Sequence, residues 1–390
     1  MPLVDNTLFV LAIVLFFGLV VPEFFKKFQL PFATSLVILG SILGKNGFNY
    51  IEINASIELF GFLGAAFLML MAGLEAKTEH LTNLKEKIIS MSVLNSVLPF
   101  ITGFFIAYFF GYSFKSSLFI GIVFISSSAA LVFSTLKTIK YDRTNIGKAI
   151  INIVVLEDIV SLLMLSVLIQ GVTSTRFHLL IYFGLLVSSV IILRMFLPEI
   201  TTYFFRKHRK KDEYETHLRI VIALLLFVLI LYSALGINPI VASFLVGFIL
   251  AKVPNFHIIK EKLHVIGYGI FVPIFFFIVG TQTDFRILTK FDIKNFLMIS
   301  IILGLFLSKF ISGFISAKVQ GFKLYDSLIF GTISTSKLTT TLSVSFAAFS
   351  LNIIDNALLS SIVMLTVIST IAGPGLTTLI AKKAKGEKHV

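Results

Sequence analysis

The sequence predicts an all-α polytopic membrane protein with about 13 transmembrane helices, arranged as two inverted six-helix repeats with crossed discontinuous helices. Hydrophobic residues make up 57% of the 390 residues and charged residues only 14%, and the mean hydropathy is +0.98. Apolar runs of the length that a helix needs to cross a bilayer recur along the whole chain. This composition excludes a soluble globular protein. The sequence contains no cysteine, which excludes disulfides and thiol chemistry.

Thirteen apolar segments can be marked in order, and Lys and Arg concentrate in alternate connections and in the C-terminal tail. That distribution predicts a protein of the cell (inner or plasma) membrane. Its N-terminus is expected on the outer side of that membrane and its C-terminus in the cytoplasm. The second and ninth segments are short and begin beside Pro31 and Pro239, so we expect them to cross tilted or to pack within the protein. The basic run 206–211 is explained by orientation at an anionic lipid surface. The predicted segments are 7–25, 30–44, 54–75, 88–111, 115–137, 147–170, 177–198, 216–235, 238–252, 262–281, 294–317, 325–349 and 357–380.

The two halves of the chain repeat. Residues 40–45 match residues 247–252, and at the same offset Gly73 falls on Gly280. Farther along, residues 101–104 match 311–314 in a second register. A shift of seven segments is odd and inserts the second copy upside down, which is the plan of secondary transporters. We therefore expect a first repeat at 1–170, a linker helix with a basic loop at 171–215, a second repeat at 216–381 and a basic tail at 382–390.

Segments five and twelve carry matching polar interruptions. The fifth contains Ser126, Ser127 and Ser128, and the twelfth contains a Ser/Thr run at 334–341 around Lys337. Hydroxyl groups at membrane depth can satisfy the backbone of an unwound helix. Ordinary helix packing through small residues is the alternative for either segment alone. The same interruption in both copies favours two broken helices that cross at the midplane.

Adjacent carboxylates, Glu157 and Asp158, lie in the middle of the otherwise apolar run 149–168. A charge there costs at least about 2.5–3.5 kcal/mol on insertion scales, and such residues mark ion and proton paths by default. A structural polar contact inside a bundle is the alternative. Because neighbouring residues point about 100° apart, one carboxylate is expected to bind the ion while the other tunes it or carries a proton. Ser161 shares the face of Asp158 and could add an oxygen ligand.

Three other charged residues complete the candidate site. Lys309 lies too deep in segment eleven for simple snorkelling, so we expect a buried ammonium that pairs with the carboxylates and compensates Asp158. Lys337 either neutralises the helix ends at the crossing or titrates as a second cation. Glu75 ends segment three, where it is either a solvated helix-end charge or a residue at the entrance of the ion path.

Several of these residues together resemble the monovalent cation:proton antiporter-2 superfamily, which includes NapA-type sodium/proton antiporters and Kef-type potassium/proton antiporters. The resemblance implies a homodimer, a core domain with crossed discontinuous helices, and elevator-like alternating access. It also implies that Asp158 binds the ion and that Lys309 is the family's buried lysine. This chain departs from the family pattern at two places. Sodium members usually carry Asp, and Kef-type members carry Gln, at the position where this chain has Glu157. The Pro-Arg-Gly-Glu pattern that is common in the second crossing helix is absent, and the acidic residue of that pattern corresponds to Lys337. The matching residues are Ser126-Ser127-Ser128-Ala129, Glu157-Asp158, Gly73-Leu74-Glu75, and Pro273-Ile274-Phe275-Phe276 with Gly280 and Asp284.

The predicted function is exchange of Na⁺ for H⁺ by alternating access, with Li⁺ as a second candidate cation, no cofactor and no enzymatic activity. Asp158 is the shared cation and proton site, and Glu157, Ser127, Ser128 and Ser161 are the further candidate ligands. K⁺/H⁺ exchange on the same scaffold stays open, as does sodium-coupled symport of an anionic solute. An aspartyl protease is disfavoured because the carboxylates are adjacent on one helix. Nucleic acid is not an expected partner, since the basic residues lie in loops between apolar segments.

Overall fold

The structure is a computed structural model that describes residues 6–25, 32–75, 86–173, 179–207, 215–254, 256–288 and 293–386. Within these residues, nine spans are long and apolar enough to cross a membrane, so the chain is an all-helical, multi-pass membrane protein. A π-helical turn, Gly267–Phe271, joins α11 to α12. The α-helices are α1 Asn6–Phe25, α2 Phe32–Leu43, α3 Ala55–Glu75, α4 Glu86–Phe109, α5 Phe114–Ile125, α6 Ala129–Thr138, α7 Asn145–Thr173, α8 Leu179–Lys207, α9 Thr216–Ala234, α10 Pro239–Leu250, α11 His257–Ile266, α12 Val272–Gln282, α13 Ile293–Val319, α14 Leu324–Ile333, α15 Thr339–Ser350 and α16 Asn356–Gly386.

Both predicted helix interruptions are present. Residues 126–128 separate α5 from α6, and residues 334–338 separate α14 from α15, so the threonines from 339 onward belong to α15. The two breaks contact each other. The Ser128 N–H donates to the Ser336 carbonyl at 2.8 Å, and the Ser127 hydroxyl donates to the Ser334 carbonyl at 2.8 Å. Each break thus satisfies backbone groups that the other leaves open, which non-helical backbone within a membrane protein requires.

In two helix interfaces a glycine allows the same close approach of one backbone to the other. On α2, a Cβ added to Gly40 would lie 2.1 Å from the Phe277 carbonyl oxygen of α12. On α10, a Cβ added to Gly247 would lie 2.1 Å from the Leu70 carbonyl oxygen of α3. The first glycine maps onto the second, and Leu70 maps onto Phe277, by the same offset of 207 residues. Each approach is so close that a methyl group would force the helices apart.

The second register of the sequence match also has a structural counterpart. Gly111 follows α4 with φ +83°, and Gly321 follows α13 with φ +82°, a conformation that favours glycine. The following N–H donates back in each case, from Tyr112 to the Ala107 carbonyl and from Phe322 to the Ala317 carbonyl. The two turns have the same hydrogen bonds at positions 210 residues apart.

Two predicted boundaries were wrong. The seventh segment was expected to end at Pro198, yet α8 continues to Lys207 with that proline inside it. A proline removes one helical hydrogen bond but need not end a long helix. The tenth segment was predicted over 262–281, but the span begins earlier and covers His257–Gln282, with α11, the π turn and α12 in direct succession. Pro273, the second residue of α12, has no N–H to continue the helical hydrogen bonds, and the π turn ends two residues before it. Most of the predicted basic run, residues 208–211, lies outside the described residues.

Candidate functional site

Helix α7 carries both carboxylates past the point where the two breaks meet, and it packs against α4, α5, α6, α14 and α15. Its sequence places the pair between apolar residues, so both side chains are enclosed by protein. Glu157 is 0% exposed and Asp158 is 3% exposed. A buried charge is costly unless it is paired and hydrogen-bonded, so the two sets of partners decide what each carboxylate can do.

Glu157 is fully occupied by protein partners. Its Oε2 accepts from the Lys309 ammonium at 2.9 Å, and the Ser127 hydroxyl, whose proton goes to the Ser334 carbonyl, lies 3.4 Å away. Its Oε1 accepts from the Asn95 side-chain amide at 2.7 Å. Such a saturated carboxylate joins α7 to α13, α4 and the first helix break, and no oxygen is left without a donor.

Lys309 is 0% exposed, so it is a buried ammonium and not a snorkelling one. Besides its ion pair with Glu157, it donates to the Asn95 backbone carbonyl at 3.1 Å. The predicted pairing of Lys309 with the two carboxylates is made with Glu157, the first residue of the pair, and the compensation of Asp158 by Lys309 stays a prediction. The physical reason is helix geometry: the adjacent carboxylates point in different directions, and α13 and α4 lie on the Glu157 side.

Asp158 has an open coordination position. Its Oδ1 is buried and has no hydrogen-bond partner among the described residues. Thr340, at the beginning of α15, is a hydrogen-bonding neighbour of this carboxylate. A small cavity of about 10 Å³ borders Asp158 together with Ala129 and Thr339. That space holds about one water-sized particle.

A larger cavity of about 340 Å³ leads away from this point. Both cavities are lined by Glu75, Ala129 and Ala130, and the larger one is also lined by Lys260 of α11. Glu75 is exposed at the end of α3, on the way from the larger cavity to Asp158. The entrance alternative for Glu75 therefore has a geometric basis that a helix-end charge alone would lack.

Lys337 is fully buried in the second break and caps the first half-helix of the other break. Its ammonium donates to the Val123 carbonyl at 3.0 Å and to the Phe124 carbonyl at 3.2 Å. These are among the last carbonyls of α5, where a positive charge interacts favourably with the helix dipole. Of the two roles left open by the sequence, the one at the helix ends has direct contacts.

The three candidate serines are all buried but differ in what they contact. Ser127 bridges Glu157 and the second break, as described above. The Ser128 hydroxyl has no partner among the described residues, whereas the Ser161 hydroxyl donates to the Asp158 backbone carbonyl at 2.9 Å. Ser161 thus lies beside Asp158, but its hydroxyl donates to the backbone of its own helix and not to the Asp158 carboxylate.

Sequence reasoning missed Asn95. Its side chain holds Glu157, its backbone carbonyl accepts from Lys309, and its Oδ1 accepts from the Ser312 hydroxyl at 2.9 Å. An amide in the middle of the fourth apolar segment was the available signal, because a polar residue at that depth needs partners. Thr340 was likewise hidden within a longer hydroxyl run.

The arrangement separates two roles. One carboxylate is neutralised by a fixed ammonium, and the other presents an unpartnered oxygen to a cavity. An open carboxylate oxygen can bind a hard cation or a proton, but not both at once. Among the described residues no group of three or more His, Cys, Asp or Glu could hold a metal ion, so a multidentate acidic metal cage is absent there.

Comparisons with known proteins show what the whole chain is similar to. A family model described as "Sodium/hydrogen exchanger, transmembrane" matches residues 11–383. The probable Na⁺/H⁺ antiporter 3 of Methanocaldococcus jannaschii is 29% identical over 380 residues, which cover 95% of each chain. The Na⁺/H⁺ antiporter NhaS5 of Synechocystis is 26% identical over 98% of this chain but only 56% of its own length. The solved structure of the sodium proton antiporter MjNhaP1 from M. jannaschii has a TM-score of 0.75 at 17% identity, covering 98% of this chain and 99% of that chain, which shows a shared fold.

Proposed function

Because the chain belongs to the sodium/hydrogen exchanger family, a family of transporters and not of enzymes, we propose that Asp158 is the residue at which it exchanges Na⁺ for H⁺. The chain is a Na⁺/H⁺ antiporter. The observation that carries the assignment to Asp158 is the unpartnered Oδ1 beside a cavity that continues past Glu75. Glu157 is the weaker choice, since Lys309 and Asn95 already donate to its two oxygens.

Competition for one carboxylate is enough to couple the two ion fluxes. Asp158 binds Na⁺ or a proton, and an ionised, empty Asp158 is a buried charge that is costly to carry through the membrane. Only the loaded protein then changes the side to which the site opens. The buried Glu157–Lys309 pair holds α7 against α13 during this change. Ser128 and Ser161 are the serine candidates for additional oxygen ligands of Na⁺, while Ser127 acts through Glu157.

The alternating change follows from two inverted repeats, 1–170 and 216–381, joined by a linker at 171–215 and followed by a tail at 382–390. The equivalent glycine contacts of α2–α12 and α3–α10 support this division, as do the matching turns at Gly111 and Gly321. With thirteen spans and the asymmetry of Lys and Arg, the N-terminus is outside the cell membrane and the C-terminus is cytoplasmic. Reactivity of single cysteines placed at the loop positions Tyr50 and Lys140 towards an impermeant reagent tests this orientation, because the native chain has no cysteine.

Within the family, the residues that resemble the cation:proton antiporter-2 branch favour that branch, and the two acidic residues at 157–158 favour its sodium members. The same resemblance implies a homodimer. Light scattering of the detergent-solubilised protein tests the dimer, with a mass near 43.3 kDa contradicting it and a mass of two chains supporting it.

The decisive experiment reconstitutes the protein in liposomes with an internal pH dye and adds Na⁺, Li⁺ or K⁺. Wild type should respond to Na⁺, and Asp158→Asn should lose the response to every cation. Asp355→Asn is the matched control, because it makes the same chemical change at an exposed residue. A retained, coupled response in Asp158→Asn contradicts the mechanism. A response to K⁺ alone would reassign the cation, and a folded protein that answers no cation would favour symport of an anionic solute.

A further inference from the structure

Arg194 is a third cation within an apolar segment, and the ion site does not use it. It lies on α8. The other two cations within such segments, Lys309 and Lys337, are buried. Unlike them, Arg194 is exposed, and its guanidinium has no hydrogen bond or ion pair with any residue that the structure describes. Arginines within membrane-spanning segments are rare and normally have a partner, so we expect Arg194 to bind an anion.

Arg194 lines a groove of about 400 Å³ between α7, α8 and α10. Lys252, which follows the end of α10, lines the same groove, and its ammonium also has no partner within the described part of the chain. The other lining side chains are apolar. They come from all three helices and include Ile159, Leu163, Val187, Ile191, Phe244 and Phe248.

We infer that this groove binds an anionic phospholipid, with the phosphate between Arg194 and Lys252 and an acyl chain along the apolar walls. A ligand that satisfies both parts must carry negative charge at one end and hydrocarbon at the other. The planar guanidinium offers paired donors to phosphate oxygens, and the ammonium adds a point charge. Basic sites between membrane helices near one surface recognise lipid phosphates in this way.

The charge of the groove argues against a second cation path. Among the described residues, Arg194 and Lys252 are its two charged lining residues, and no carboxylate lines it. On α7 the groove is lined by Ile159 and Leu163, whereas Asp158 borders the cavity on another side of the helix. The lipid site therefore does not depend on which ion is carried or on the role of Asp158.

The first test measures lipid affinity by native mass spectrometry of the full chain in neutral detergent, with phosphatidylglycerol and phosphatidylcholine as the probes. Phosphatidylcholine carries its own cation beside the phosphate, whereas phosphatidylglycerol has a net negative charge, so two basic residues predict a preference for phosphatidylglycerol on the order of 30-fold. The double variant R194Q/K252Q should lose this preference. K382Q/K383Q should keep it, because it removes two exposed charges at the end of α16 and away from the groove. An unchanged preference in R194Q/K252Q, or an equal loss in both double variants, overturns the inference.

A second pair of variants tests the apolar walls without touching a charge. Ile191 and Ile192 are neighbours on α8 with the same exposure, 53%, but only Ile191 lines the groove. I191W should fill the groove and weaken phosphatidylglycerol binding, while I192W should bind it as wild type does. This pair decides the matter if R194Q/K252Q does not fold. Equal binding of phosphatidylglycerol by the two tryptophan variants overturns the inference. A change from dimer to monomer in I191W with lipid binding intact also overturns it, because the groove would then be a contact between two copies of the chain.

Discussion

Replacing Lys309 by methionine should destabilise the protein more than removing both members of its ion pair. In Lys309→Met, Glu157 keeps its hydrogen bond from the Asn95 side chain but loses its counter-charge in a site with no exposure. In the double variant Glu157→Gln/Lys309→Met, the new amide can still accept from the Asn95 side chain. It can also donate to the Asn95 carbonyl that the ammonium leaves.

The magnitude follows from the distance and the burial. At 2.9 Å and an effective dielectric constant of about 20, the attraction is about 6 kcal/mol. Desolvation of the two ions costs several kcal/mol each, so the net value of the pair is small. Breaking such a pair from one side costs about 3–5 kcal/mol, whereas replacing both members is often neutral. We therefore expect the double variant to recover most of the loss.

Unfolding in a mixed detergent titration, followed by circular dichroism, measures both variants; the chain has no tryptophan for a fluorescence assay. Transport provides the second measurement. Because the double variant keeps Asp158, it should still exchange Na⁺ for H⁺. A double variant as unstable as Lys309→Met would refute the energetic argument, and a stable double variant without transport would refute the assignment of Glu157 to a structural pair.

Three further changes test other parts of the reasoning. Glu75→Gln should raise the KM for Na⁺ several-fold without abolishing transport, with a smaller effect at high ionic strength, because an exposed charge attracts cations over a screened distance. Gly247→Ala should destabilise the protein by about 1–3 kcal/mol in the same unfolding assay, since its Cβ would meet the opposite backbone, whereas Gly375→Ala, with open space around it, should not. Lys337→Ser should fold, because the Ser127 hydroxyl donates to the equivalent helix-end carbonyl in the other break; the same unfolding assay measures this, and a variant that does not fold would contradict it.

The sequence was sufficient for the helix breaks because they need polar residues where apolar ones are expected. Hydroxyl runs at two matching places predicted both interruptions, and the structure contains them at 126–128 and 334–338. Prolines were less informative. Pro198 lies inside a continuous helix, and Pro273 follows a π turn, because the effect of a missing N–H depends on how neighbouring turns adjust.

The partner of each carboxylate could not be predicted. Glu157 and Asp158 are adjacent in sequence, and which of them faces Lys309 depends on the rotation of α7 against α13. Helical spacing gives the angle between two residues but not the direction of either. Asn95 was missed for a related reason, since its importance comes from three contacts made by long-range packing.

The two breaks are not equal, and their difference lies at the ion site. Ser127 and Lys337 are 210 residues apart, as are their acceptors, the carbonyls of Phe124 and Ser334. The Ser127 hydroxyl donates to the Ser334 carbonyl at 2.8 Å, and the Lys337 ammonium donates to the Phe124 carbonyl at 3.2 Å. A neutral hydroxyl therefore caps one half-helix where an ammonium caps the other. The Lys337 ammonium also donates to the Val123 carbonyl at 3.0 Å, so it reaches two helix-end carbonyls, whereas the single hydroxyl proton of Ser127 reaches one. The inverted copies thus keep the same capping contact but differ in the number of carbonyls that it satisfies.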